Sequence, residues 1–110
     1  MRRAAYQIMC DGGGGTKVPS VASGWVHGCF GTQAEGYGRS KEWPITHIPT
    51  GYKLSQRIIP HTAKDAKAVM RALVRGDFDW DGLTLEGLAA VRREAREAVD
   101  AAVNEALGGD

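Results

Sequence analysis

The chain lacks any long apolar run. No stretch approaches the roughly 18 to 20 consecutive apolar residues that a membrane-spanning helix needs. The opening MRRAAYQIMCDGGGG carries basic residues, but no apolar segment of signal-peptide length follows them. The expectation is a protein without a membrane partner that works in the cytoplasm where it is made. Cysteine is scarce as well, with Cys10 and Cys29 alone, so a disulfide framework is excluded and two reduced thiols are expected. Proline stops at Pro60, which leaves the last 50 residues free to form helix.

What is present suits one small domain spanning 1–110. Of the 110 residues, 43% are hydrophobic and 25% charged, an ordinary balance for a chain long enough to bury one core. The net charge of +1 hides a division. Residues 1–75 hold eleven Lys and Arg against four acids, and residues 76–110 hold three Arg against nine acids. Either the acidic segment packs beside the basic part and the two fields partly cancel, or one of the two surfaces meets a charged partner.

Element signals divide the chain into a β-rich basic part, 1–60, and a helical part, 61–110, acidic from residue 76. Residues 2–10 read as a strand, and DGGGGTKVPSVASG as a loop. Its glycines do not make a P-loop, because the lysine is followed by Val-Pro and no helix begins there. GWVHGCFGTQ reads as a strand with Trp25, His27 and Cys29 on one face. Strands of about 43–48 and 52–59 flank Pro49-Thr50-Gly51, a turn in which proline presets φ and glycine can take the left-handed region. Thr62 with Asp65 marks a helix start and Gly76 its end, with Ala66, Val69, Met70 and Leu73 as its apolar stripe and Lys64, Lys67, Arg71 and Arg75 outside. From Thr84 to Leu107 one long helix is predicted, with an alanine-rich seam suited to the protein's own core or to a homodimer. The sum is an α+β fold, a small antiparallel sheet of three or four strands followed by two helices, the C-terminal one long.

Candidate chemistry concentrates in RGDFDWDGLTLEGL. Asp77, Asp79, Asp81 and Gly82 match positions 1, 3, 5 and 6 of an EF-hand loop, but position 12 is Leu88 where a bidentate acid is required. Calcium binding is therefore not expected. Asp81 or Thr84 can cap the following helix. Phe78 and Trp80 then alternate with the acids either as a plug between helices or as an aromatic, acidic hook for a partner. His27, Cys29 and His47, with Cys10 or His61, would make a zinc set only if they converged, and H-x-C has no second short-spaced couple. Cys29 and His47 as nucleophile and base lack an orienting acid nearby in sequence. Neither metal, cofactor nor catalysis is expected. Arg39, Lys41, Lys53 and Arg57, interleaved with Tyr37, Trp43 and Tyr52, form a second candidate surface, for nucleic acid.

EWPITHIPTGYKL followed by TAKDAKAVMRAL resembles small uncharacterised proteins of phages and prophages, in which a W-x-x-T-H-x-P-T-G hairpin leads into a short helix. The matching positions are Trp43, Thr46, His47, Pro49, Thr50 and Gly51, then Ala66 to Leu73, about a third of the chain. The resemblance implies a non-enzymatic protein that occupies a host protein or ribonucleoprotein complex, in the manner of inhibitors of CRISPR and other defence complexes. On that expectation Asp77, Phe78, Asp79, Trp80 and Asp81 are the partner-binding residues.

Overall fold

A computed structural model describes residues 1–36, 41–54 and 59–108. The fold is α+β, a five-stranded antiparallel meander in the order β1-β2-β3-β4-β5 with three helices after it. The strands are β1 (Arg2–Asp11), β2 (Lys17–His27), β3 (Phe30–Thr32), β4 (Ile45–His47) and β5 (Tyr52–Lys53). The helices are α1 (Ala63–Arg75), α2 (Leu85–Ala90) and α3 (Arg92–Val103), and a π-helical turn closes the chain over Asn104–Gly108.

Five strands appear where three or four were predicted, because the predicted strand 24–33 divides into β2 and β3, and β2 starts early because the glycine loop is shorter than its composition suggests. Gly12 and Thr16 close a tight turn, with Gly12 N–H on the Thr16 carbonyl at 2.8 Å and Gly13, Gly14 and Gly15 all at positive φ. The chain is therefore extended again by Lys17, and β1 and β2 form a long ribbon from Arg2 opposite Val26 to Asp11 opposite Lys17. Pro19 sits inside β2, in a part of the strand that pairs with β1 alone among the described residues, where a missing donor is tolerated.

The predicted strand 24–33 is a hairpin instead. Gly28 at φ +59 and Cys29 form its two-residue turn, and His27 pairs with Phe30, so Phe30 shares the face of Trp25 and His27 while Cys29 drops out of line. Farther on, the predicted strand 43–48 shrinks to Ile45–His47, and the described part of the predicted strand 52–59 is extended at Tyr52–Lys53; residues 55–58 lie outside the described residues. The turn between them is as expected, with Gly51 at φ +75 and its N–H on the His47 carbonyl at 2.8 Å.

Helix α1 begins at Thr62, whose hydroxyl accepts from Asp65 N–H, and ends at Gly76. Its predicted stripe is buried in full. The predicted single helix from Thr84 is broken. Thr84 caps α2 through Gly87 N–H, but Val91 leaves the helical region at φ −114, ψ 26, and α3 starts afresh. Gly87 and the β-branched Val91 are the weak helix formers of that stretch, and the break sets Leu85 and Leu88 along the same groove as Leu54.

Side-chain alternation divides the core between the two sheet faces. Under the helices, Phe30, Ile45, Val69, Met70, Leu73, Trp80, Val99 and Val103 form the main cluster. On the other face Tyr6, Ile8, Ala22 and Val26 form a smaller one, with Ile48 against it. That second core exists because the sheet curls: Met9 N–H donates to the Gly51 carbonyl at 2.8 Å, and the Tyr6 ring lies on Gly31, where a Cβ would stand 2.7 Å from it.

Candidate functional site

Residues 76–83 connect α1 to α2, and their alternation sorts them by face. Trp80 is 4% exposed. Its ring meets Phe30 edge-on at 5.4 Å, His47 at 5.8 Å and Phe78 at 4.5 Å. The plug reading of Trp80 is the one realised, while Phe78 stays half-buried at the margin. Asp77, Asp79 and Asp81 point outward and are exposed. Asp79 Oδ1 accepts from Asp81 N–H at 3.2 Å, an Asx turn that gives the D-x-D repeat a local structural use.

His47 fastens this connector. It is wholly buried, its Nε2 lies 2.8 Å from the Trp80 carbonyl and its Nδ1 lies 3.0 Å from the Thr50 hydroxyl. A carbonyl only accepts, which places a proton on Nε2. Both ring nitrogens are thus engaged in architecture. Thr50 Oγ1 also lies 3.2 Å from the His47 carbonyl and accepts from Tyr52 N–H. The T-H-x-P-T-G stretch therefore encodes a turn that reaches across 33 residues to hold Trp80.

The Cys and His candidates do not assemble. Among the described residues no three His, Cys, Asp or Glu side chains come together as a metal's donor set. Burial, then Asp81 beside it, pushes the Cys29 thiol up to about 12, the opposite of the depressed value an activated thiolate nucleophile needs.

Among the described residues, two of the grooves beside the helices carry charge. One, of about 360 Å³, has Leu73, Phe78, Ala98 and Ala102 in its lining and Asp77, Glu94, Glu97 and Glu105 at its rim. Glu97 pairs with Arg93 and Glu105 with Arg75, whereas Asp77 and Glu94 have no ion-pair partner among the described residues. The predicted hook residues 77 and 78 thus belong to an acidic, apolar-lined groove completed by α3, a contribution the sequence reading missed. The other groove, about 440 Å³, sets Leu54, Leu85 and Leu88 beside Lys53, Arg92 and Arg96.

Of the residues read as nucleic-acid binding, Lys53 is engaged with Glu35 at 2.8 Å and Lys41 is exposed; Arg39 and Arg57 lie outside the described residues. A basic grouping appears elsewhere. Lys67 Nζ stands 3.4 Å from the centroid of the Trp25 ring and the Arg3 guanidinium 5.1 Å from it. Sequence reading saw the basic side of α1 but not Arg3, since only the β1–β2 register brings Arg3 opposite Trp25.

The architecture and site define a small α+β protein with charged surface grooves and a packed interior. Comparison with family models, curated proteins and solved structures returns no match for this chain.

Proposed function

We propose that this is a non-enzymatic binding protein of phage type that works in a bacterial cytoplasm by occluding a host defence complex, docking a basic segment of that complex in its acidic groove. The observation that carries this reading is the convergence of Asp77 and Phe78 with the α3 acids around one apolar-lined groove. A lysine- or arginine-rich segment fits it in two ways. Its aliphatic stems can cover Phe78 and Ala98, and its charged heads can meet Asp77 and Glu94, which take part in no ion pair among the described residues. A host surface that ordinarily holds nucleic acid presents such segments. The resemblance of the T-H-x-P-T-G hairpin to phage proteins supplies the biological setting and no chemistry.

The test is capture from nuclease-treated host lysate by the tagged protein. Wild type retains a host complex, and Asp77→Lys/Glu94→Lys and Phe78→Ser both lose it while their melting curves stay cooperative. Retention of the same complex by the charge-reversed variant would overturn the reading. Trp80→Ala is not the informative variant, because emptying so buried a site costs about 3–5 kcal/mol and reports folding.

A further inference from the structure

A second charged surface lies on the ribbon and α1, on residues separate from the acidic groove and independent of it. The β1–β2 register sets Arg3 opposite Trp25, and the alternate positions Ala5 and Gln7 along the same strand are exposed beside them. Trp25 also packs against the helix-side core, so its ring is the floor where ribbon and helix meet. Lys67 and Arg3 lie over that ring. Lys64, Lys67 and Arg71 follow at i, i+3 and i+7 along α1, one stripe of about 10 Å at 1.5 Å per residue.

Among the described residues, none of Arg2, Arg3, Lys64, Lys67 and Arg71 takes part in an ion pair, whereas Lys53, Arg75 and Arg93 each do. The first 34 residues contain one acid, Asp11, at the far tip of the ribbon. The only acid on α1 is Asp65, in its first turn. An independent sign of the positive field is His27: burial first, then the N-terminal ammonium and Arg71, hold its protonation below the usual histidine range.

We infer that the ledge formed by Arg3, Lys64, Lys67 and Arg71 around Trp25 is a binding surface for the phosphate backbone of nucleic acid. A line of unpaired cations about 10 Å long matches a row of phosphates. Two cations already lie over the Trp25 ring, so the ledge reads charge rather than base identity and binds without sequence preference.

Fluorescence polarisation with a labelled 20-nucleotide oligo-dT, the matching RNA and a 20-base-pair duplex tests this. Wild type binds at 50 mM salt, and its affinity falls linearly with salt on logarithmic axes. Lys67→Gln/Arg71→Gln weakens binding at least about tenfold and flattens the single-strand salt slope by roughly 1.4, at about 0.7 per phosphate contact. Lys53→Gln and Asp77→Lys/Glu94→Lys do not weaken it. Should the loss of Lys67 from Trp25 disturb folding, Lys64→Gln/Arg71→Gln leaves the ring contact in place and decides by the same readout. The inference is overturned by wild type that binds none of the three probes at 50 mM salt. It is equally overturned by affinity unchanged in both ledge variants, or by a poly-glutamate peptide that displaces the oligonucleotide at matched charge.

Discussion

His47 shows how much one side chain can be asked to do. It bonds the Trp80 carbonyl with one nitrogen and meets the Thr50 hydroxyl with the other, and the ring itself is wholly buried. His47→Ala would leave a buried carbonyl without its donor and a cavity beside Phe30 and Trp80. A loss of about 3–4 kcal/mol is expected from those two costs together, measured by urea unfolding. His47→Gln, which can still donate to the carbonyl, should lose less. The local role of the T-H-x-P-T-G turn was legible from its turn residues. Its reach to Trp80 was not, because a hydrogen bond across 33 residues leaves no mark in local spacing. The alternation D-F-D-W-D likewise announced two faces but not which would be inward, and only the position of the sheet decides that in favour of Trp80.

At the scale of elements, helix α1 was legible nearly to the residue, since its cap, its stripe and its terminating glycine all point the same way. The ribbon was not. Four glycines and a proline read as loop by composition, yet the glycines turn the chain within five residues and the proline sits where no strand needs its donor. The C-terminal helix misled in the opposite sense, because uniform propensity hid a break at Val91 that the groove with Leu54 uses. Two glycines separate conformational strain from crowding. Gly14 and Gly51 both have positive φ, at 58° and 75°, but a Cβ on Gly14 meets nothing within 4 Å while one on Gly51 stands 2.9 Å from Met9 Cγ. Both alanine variants carry the left-handed penalty of about 1–2 kcal/mol. Gly51→Ala should cost measurably more by thermal unfolding, because it also presses on the contact that curls the sheet.

For the molecule as a whole, the charge division of the sequence survives folding. The described ion pairs join the two halves at Arg75–Glu105, an exposed contact worth little, and leave the basic ledge and the acidic groove each with unpaired charge. The α+β class was legible because strands precede helices; the location of the charged surfaces was not, since each draws residues from elements far apart in sequence.

The ribbon has a further consequence, for solubility. Met9 N–H points away from β2 toward Gly51, so Met9 and Pro19 face each other as a pair without ladder bonds. That geometry turns the proline nitrogen toward the outer edge of β2, where Val21 is 76% exposed. Nearer the sheet, the Gln33 side chain accepts from Ser23 N–H on that same edge. An extended edge of this kind invites stacking into fibrils unless something interrupts it. The missing donor at Pro19 is the interruption: it removes the hydrogen bond at the middle of any strand that tries to add on. Pro19→Thr restores the donor and should produce concentration-dependent association by sedimentation velocity, while the native chain keeps its edge closed to copies of itself.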